Sequence, residues 1–475
     1  MELRGKVNNL AMSASHLSSE VSVSESAKSS ERASIGGEFN GFDSLPPLAR
    51  DAGFWAMAAT QFLGAFNDNV FKQLILLLAT PTAAQLAAGA AEDRQSEAQF
   101  VFAGAFLIFS GFAGYLSDRF SKRPVIICSK MAEIFVMAAG VIGFWFYDTI
   151  GVTGMFVVLF LMGTQSAFFG PAKYGILPET VRKRDLPRAN GIFLMLTFLA
   201  IIFGVAIAGG LLNMVSHRVW LGSIACVVIA VVGTITSLGV RRVPAAQPTL
   251  RYQWSSWLVP AEIIQLLRRD RELCWAILVV AIFWMVGGMV LQTVNALGKT
   301  QLGLDEFRTS ILAASIGVGM AIGCMAGGYM SRNRVNRNVV TTGAIGLVLT
   351  LLLMSLPGGE HHHLLGFSGS LPTLIVMGAF TGMFIVPVQV ALQSRPPRAE
   401  KGRMIATMNQ CSWVGIILGA ALYKLCIIIS DSAGWPRSSI FAVTAMLMLP
   451  VAIFYRPKDE PLAESESIVE PVSLG

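Results

Sequence analysis

Apolar runs of about 20 residues recur along most of the chain, about every 33 residues between Phe54 and Tyr455. As an α-helix, a run of this length crosses the hydrocarbon core of a bilayer, which is about 30 Å thick. Only 14% of the 475 residues are charged, against about 25% in soluble domains. The pattern predicts an all-α integral membrane protein. Its twelve predicted transmembrane helices are residues 54–80, 99–117, 124–147, 151–172, 188–213, 218–240, 273–297, 308–330, 338–356, 371–393, 403–430 and 436–455.

Basic residues collect in alternate loops. The loops after the second, fourth, sixth, eighth and tenth spans hold 21 Lys and Arg residues, whereas the loops on the other side hold five. Because cytoplasmic loops of membrane proteins carry the excess of Lys and Arg, this bias predicts that both termini are cytoplasmic. It also accounts for the net charge of +7 without nucleic acid as a partner.

The chain divides into two halves of six spans each. The linker between them carries Trp254, Trp257 and an apolar face from Ile263 to Leu267, which favours an amphipathic helix lying at the membrane interface. A simple tether fits the same residues. The predicted divisions are a disordered cytoplasmic tail (1–49), an N-terminal six-helix bundle (50–240), the cytoplasmic linker (241–272), a C-terminal six-helix bundle (273–455) and an acidic cytoplasmic tail (456–475).

Four polar residues interrupt the first span: Asn67, Asp68, Asn69 and Lys72. At 1.5 Å per residue Asp68 lies about 21 Å into the helix, where a charge facing lipid costs several kcal/mol, so the cluster must face protein or water. Asp68 and Lys72 are four residues apart and share a helix face. We expect a charge pair that binds a zwitterionic or anionic headgroup, or that couples an ion. The alternative is a self-neutralising pair, with both asparagines bonded to neighbouring helices.

Other polar residues within the spans are weaker candidates. Lys130 and Glu133 are three residues apart on the third span, where a structural ion pair is the favoured interpretation. Lys173 and Arg218, near span ends on the two sides, could attract a phosphate as point charges, although Lys173 could equally be a positive-inside anchor. The uncharged candidates for a cavity wall are Gln165, Gln292 and Gln389.

No motif indicates a cofactor, a metal or ATP. The phosphate-binding pattern Gly-x-x-x-x-Gly-Lys-Ser/Thr is absent. The six cysteines have neither metal-ligand nor disulfide-framework spacing. Three adjacent histidines, 361–363, fall in a predicted external loop, where we expect solvated side chains.

A loop motif occurs twice, six spans apart. The first copy reads Gly114-Tyr-Leu-Ser-Asp118-Arg119-Phe-Ser-Lys-Arg123, and the second runs from Gly328 to Arg337. The first copy resembles the loop signature of the major facilitator superfamily, and the layout of twelve spans in two pseudo-symmetric bundles agrees with that fold. The resemblance implies a cytoplasmic gate in which Asp118 and Arg119 act, with Asp118 bonding to a neighbouring helix N-terminus. The second copy has Arg332 at the acidic position, so only the first half should lock in this way. The gating residues that this resemblance implies are Gly114, Asp118, Arg119 and Arg123.

A narrower resemblance covers two stretches. Gln61-Phe-Leu-Gly-Ala-Phe-Asn67-Asp68-Asn69 is similar to the bacterial lysophospholipid transporters of the superfamily, as is Pro171-Ala-Lys173-Tyr-Gly-Ile-Leu-Pro-Glu179. It implies movement of lysophospholipids of the lysophosphatidylethanolamine class across the inner membrane of bacteria. A separate acyltransferase would then re-acylate them, and a coupling ion is a further possible partner. In the superfamily, the first, fourth, seventh and tenth spans line the cavity, which favours Gln292 and Gln389.

These observations predict a secondary transporter that works by alternating access. Other classes remain open: a proton-coupled drug or sugar transporter of the same superfamily, in which Asp68 would carry the proton, or a receptor with the same fold. A lipid-remodelling enzyme has less support, because no acyltransferase motif follows any of the five histidines.

Overall fold

The structure is a computed structural model that describes residues 46–89, 92–182, 185–215, 218–246, 248–251, 261–331, 336–358, 363–395 and 401–458. Within these ranges the chain is helical and contains no β-sheet; one isolated bridge joins Pro357 to His363. His363 departs from the prediction of a solvated loop: it is buried, and its Nε2 lies 2.9 Å from the carbonyl oxygen of Met354. His361 and His362 lie outside the described residues.

Six long helices form the N-terminal half: α1 (Ala52–Leu78), α2 (Gln95–Arg119), α3 (Lys122–Trp145), α4 (Tyr147–Gly175), α5 (Leu186–Val215) and α6 (Trp220–Leu238). Six more form the C-terminal half: α7 (Arg271–Ala296), α8 (Glu306–Ser331), α9 (Arg337–Ser355), α10 (Gly366–Ser394), α11 (Lys401–Ala433) and α12 (Ser439–Phe454). The predicted spans match these helices one for one, with ends that differ by a few residues.

Eleven helices of the described chain are long and apolar enough to cross a membrane, so the protein is a multi-pass membrane protein. The twelfth, α12, is a largely apolar helix of 16 residues and is about 24 Å long. It is therefore somewhat short for a complete crossing but consistent with the predicted count of twelve. Large apolar side chains such as Phe135 and Phe454 point outward, where lipid would cover them.

The two halves repeat the same packing. In the first, α1 packs on α5, α2 on α4, and α3 on both α4 and α6; in the second, α7 packs on α11, α8 on α10, and α9 on both α10 and α12. The halves meet through α5 against α8 and through α2 against α11. Each helix of the first half therefore makes the same contacts as the helix six numbers later in the second half. The duplicated loop motif thus reflects a duplicated bundle.

Helix caps help to define one end of the molecule. Asp51 accepts a hydrogen bond from the backbone N–H of Phe54, and Asp270 accepts two from Glu272 and Leu273, so both satisfy otherwise unpaired amides at helix starts. Asp51 also forms an ion pair with Arg241 at 3.0 Å. We name the end where α1 and α7 begin the basic face, because it carries the predicted basic loops, and the other end the opposite face.

The linker contributes one short helix, Ala261–Arg269. Its Ile263 is fully buried in the core of the C-terminal half, and Leu266 and Leu267 pack against the same core. The apolar side of this amphipathic helix thus packs against the C-terminal half. Trp254 and Trp257 lie outside the described residues.

Candidate functional site

Asp68 lies in the middle of α1 and turns its carboxylate towards α4. The Ser166 hydroxyl donates a hydrogen bond to its Oδ2 at 2.6 Å, and Gln165 Nε2 donates to its Oδ1 at 3.4 Å. Gln165 also donates to the Ser166 hydroxyl at 2.7 Å. The structure therefore brings Asp68 together with Gln165, a residue that the sequence suggested only for the wall of a cavity. Ser166 was missed, because a single serine in an apolar helix gives no distinctive sequence signal.

Lys72 does not form the predicted ion pair with Asp68. Its Nζ instead lies 5.2 Å from the centre of the Phe102 ring on α2, a cation–π contact. Both residues remain partly exposed, and both lie on the same side of α1. The helix rise separates them by about 6 Å, which leaves each charge available to a ligand.

Asn67 belongs to a different cluster. It is fully buried, and its Nδ2 donates a hydrogen bond of 2.7 Å to Glu133 Oε1 on α3. The other carboxylate oxygen of Glu133 contacts Lys130 Nζ in the expected ion pair, which is also buried. Our prediction that Asn67 contacts substrate is therefore wrong for this conformation: its amide serves packing inside the N-terminal half.

Asn69 turns to a third side of the helix. Its Nδ2 donates to the carbonyl oxygen of Ala65 in its own helix at 2.7 Å, and its Cβ lies close to Gly204 on α5. A Cβ added at Gly204 would be 2.8 Å from the Asn69 Cβ. Asn69 thus contributes to the packing of α1 against α5 in this conformation, and its side chain remains partly exposed.

Aromatic side chains from both halves lie beside the Lys72 site. Phe106 on α2 stacks on Trp413 of α11, with ring centres 4.0 Å apart, and Phe102 meets Trp413 edge to face at 6.2 Å. These rings join α2 to α11 beside Lys72.

Beyond the rings, a chain of amide side chains crosses between the halves. Gln73 Nε2 donates to Asn295 Oδ1, and Asn295 Nδ2 donates to Gln95 Oε1, each at 3.0 Å. Gln95 Nε2 in turn donates to the backbone oxygen of Gln292 at 3.1 Å. All four residues are buried. We name this network, together with the charged groups around it, the opposite-face seal.

The seal includes several ionisable side chains. Tyr423 of α11 donates a hydrogen bond of 2.6 Å to Asp93 Oδ2, and Lys424 forms an ion pair of 3.0 Å with Glu97. Lys299, just after α7, donates to the backbone oxygen of Leu77 at the end of α1 at 2.8 Å. These bonds close the opposite face, so the conformation is one in which the halves are joined there.

Gln292 lies in the seal rather than on an open cavity wall. Its side-chain Nε2 donates to Gly288 within α7, and its Oε1 is buried without a hydrogen-bond partner in the described structure. Gln389 on α10 is half-buried, and Arg218 is exposed at the start of α6. Neither residue hydrogen-bonds to the Asp68 group in the described chain. Lys173 sits over two rings instead, 5.5 Å from Phe169 and 5.0 Å from Tyr174.

The predicted gating residues lie at the basic end of α2 and at the start of α3. Asp118 is exposed, and a Cβ added at Gly114 would meet no atom within 4 Å. Arg119 donates to Tyr115 and to the backbone oxygen of Leu250 in the linker, and Arg123 donates to that of Leu238 at 2.7 Å. The space around Gly114 contrasts with the packed opposite face, where a Cβ at Gly209 would lie 2.2 Å from the backbone oxygen of Glu306.

The fold and the sequence agree with a known family. The sequence model of the Major Facilitator Superfamily matches residues 54–420. The chain belongs to the major facilitator superfamily. Solved structures of this fold include the nucleoside transporter NupG (TM-score 0.57, 13% identity, 83% of this chain and 97% of that one). A POT family transporter in complex with a thioalcohol-conjugated peptide is another (TM-score 0.61, 13% identity, 87% and 98%).

Curated superfamily relatives are more similar in sequence. The lysophospholipid transporter LplT of Enterobacter sp. (strain 638) is 30% identical over 383 residues, which cover 79% of this chain and 89% of the relative. LplT of Klebsiella pneumoniae (strain 342) is 28% identical over 408 residues, covering 84% and 95%. Almost the whole length of these transporters therefore aligns with this chain.

Proposed function

We propose that this protein moves lysophospholipids across the bacterial inner membrane by alternating access, with its basic face and both termini in the cytoplasm. The support for the substrate is the alignment with lysophospholipid transporters over most of their length. The support for the orientation is the excess of Lys and Arg on the basic face. In this proposal the structure corresponds to the inward-open state, since the opposite-face seal is formed.

The observation that carries the proposal is the pair of separate charges on α1. Asp68 has neutral hydrogen-bond donors, Ser166 and Gln165, and Lys72 rests on an aromatic ring rather than on a carboxylate. A zwitterionic headgroup has the complementary arrangement: its ammonium would bind Asp68 and its phosphate would bind Lys72. The two charges are about 6 Å apart along the helix, which suits the few bonds between phosphate and amine.

The remaining predicted residues take supporting roles. Gln389 would line the path on α10. Lys173 on the cytoplasmic side and Arg218 on the other would raise the local concentration of lipid phosphate. Gly114, Asp118, Arg119 and Arg123 would form the inner gate when the basic face closes. The protein would act as a transporter rather than an enzyme, with a separate acyltransferase using its product.

Flipping of a fluorescent lysophosphatidylethanolamine in reconstituted vesicles tests the proposal. We expect wild-type protein to move the lipid between leaflets, and Asp68→Asn and Lys72→Gln each to reduce the rate at least tenfold, because each removes one charge contact to the headgroup. Lys72→Arg should retain part of the activity. Arg308→Gln, which removes an exposed charge at the start of α8, is the matched control and should flip at the wild-type rate.

The same vesicles separate the alternatives. If wild-type protein moves no lysophospholipid but carries a sugar or drug against a gradient when a proton gradient is imposed, the rival transporter assignment is correct. Acyl transfer by the purified protein alone would instead revive the enzyme assignment, and ligand binding without flux would indicate a receptor.

A further inference from the structure

The opposite-face seal contains one more carboxylate than cations. We include in the seal the neighbouring groups Glu306, Asp431 and Arg437, so that its three cations each have an acidic partner: Lys424 pairs with Glu97 at 3.0 Å, Lys299 with Glu306 at 3.6 Å, and Arg437 with Asp431 at 2.7 Å. The fourth carboxylate, Asp93, forms no ion pair among the described residues. Its neighbours Glu92 and Arg94 carry opposite charges: Glu92 is exposed, and Arg94 lies over the Phe156 ring and donates to Thr153.

Asp93 is nevertheless buried between the halves, with 3% of its surface exposed. Its Oδ1 faces the backbone N–H of Gln95 at 3.1 Å, and its Oδ2 faces the Tyr423 hydroxyl at 2.6 Å and Gln95 Nε2 at 3.2 Å. Lys424 approaches the residue only at its backbone oxygen, at 3.4 Å. An ionised Asp93 is therefore hydrogen-bonded but not neutralised, and a buried charge of this kind is costly.

The hydrogen-bond network around Asp93 can accommodate a proton on its carboxylate. If Oδ2 is protonated, it can donate to the Tyr423 oxygen, and the Tyr423 hydroxyl can then donate to the backbone oxygen of Gln292, which lies 3.5 Å away. Gln95 keeps its bonds to Oδ1. The protonated form thus keeps every group paired and removes the excess charge.

We propose that Asp93 is a proton-binding site of the opposite-face seal, and that protonation of Asp93 favours the conformation closed on this face. The proposal adds regulation by pH to the transporter proposed above. It rests on that transport function only in experiments that measure flux. The proton enters and leaves from the opposite side, because Asp93 lies in the loop before α2. It therefore acts as a gate and is not carried across the membrane.

The direction of the effect follows from the difference between the two conformations. Burial raises the pKa of the Asp93 carboxyl above its ordinary value of 3.8, although hydrogen bonds from Tyr423 and Gln95 and the charge of Arg437 act in the opposite direction. When the face opens and water reaches Asp93, the pKa returns towards its ordinary value. Closing then takes up a proton, so closure is favoured at low pH and this contribution is lost as pH rises through the raised pKa.

A distance measurement on the purified protein in nanodiscs tests the gate without any substrate. Spin labels at Phe120→Cys and Met330→Cys, exposed positions at the basic ends of α2 and α8, report the width of the basic face in a background without native cysteines. We expect the population of molecules with a wide basic face, in which the opposite face is closed, to grow as pH falls. Between the pKa values of Asp93 in the open and closed conformations, the ratio of wide to narrow molecules should change by up to about tenfold per pH unit. Asp93→Asn, which mimics the protonated form, should stay wide at every pH.

Two further variants test whether the pH effect arises from the Asp93 carboxylate. Glu92→Gln makes the same chemical change at an exposed residue one position earlier and should keep the wild-type pH profile. Tyr423→Phe removes the donor that stabilises the ionised carboxylate, so its transition should move to higher pH. A wild-type pH profile in Asp93→Asn, or a distance that does not change with pH in the wild type, would overturn the proposal. Absence of lysophospholipid flipping would leave this distance result intact and count against the transport function alone.

Discussion

At the scale of single residues, the buried pair Lys130–Glu133 shows how the N-terminal half tolerates charge inside a membrane. Both residues are almost fully buried and in direct contact, and Asn67 satisfies one further carboxylate oxygen. Two glycines make room for the ammonium: a Cβ added at Gly64 or Gly233 would lie 3.2 or 3.1 Å from Lys130 Nζ. The pair is therefore built into the packing of α1, α3 and α6.

Removal of one partner should cost more than removal of both. We expect Lys130→Met to destabilise the protein by about 3–5 kcal/mol, because Glu133 is left as an uncompensated buried charge. The double variant Lys130→Met with Glu133→Leu should regain most of that loss. Denaturant unfolding of the protein in detergent measures both values, and losses that simply add would contradict the ion-pair interpretation.

At the scale of elements, the contact between α5 and α8 depends on small residues. A Cβ at Gly209 would lie 2.2 Å from the backbone oxygen of Glu306, and one at Gly317 would lie 2.5 Å from Ile202 Cγ1. Such approaches are possible only without a side chain, so the glycine-rich runs of these helices permit the halves to meet on the opposite face.

Gly209→Ala should accordingly weaken closure of the opposite face. Overpacking of this kind costs about 1–3 kcal/mol, so the population wide at the basic face should fall roughly fivefold or more in the labelled pair described above. The matched control is Gly170→Ala on α4, where an added Cβ meets no atom within 4 Å. An equal effect of the two substitutions would mean that helix propensity, and not the contact, is responsible.

At the scale of the whole molecule, the two faces differ in this conformation. The hydrogen bonds described between the halves lie at the opposite face, whereas Asp118 on the basic face is exposed. If Asp118 bonds to a helix N-terminus only when the basic face closes, loss of its carboxylate should not affect the present conformation. It should destabilise the conformation in which the basic face is closed.

Asp118→Asn should therefore increase the wide population in the labelled pair. A hydrogen bond to a charged group contributes about 1.5–3 kcal/mol, which corresponds to a shift of roughly tenfold or more, and flipping should slow because the basic face closes less often. A narrower basic face in Asp118→Asn would disprove this role for the loop motif.

The helices, their number and the repeat could be predicted from the sequence alone, because hydrophobic length and duplicated motifs are local properties of the chain. The sequence also located the polar cluster on α1. It could not determine the roles within that cluster: successive residues of a helix are turned by about 100°, so Asn67, Asp68 and Asn69 face α3, α4 and α5 in turn. Only the tertiary arrangement of the neighbouring helices decided which helix each of the three residues contacts. The same holds for the seal, in which Asp93 and Tyr423 are 330 residues apart and meet only because the two halves fold against each other.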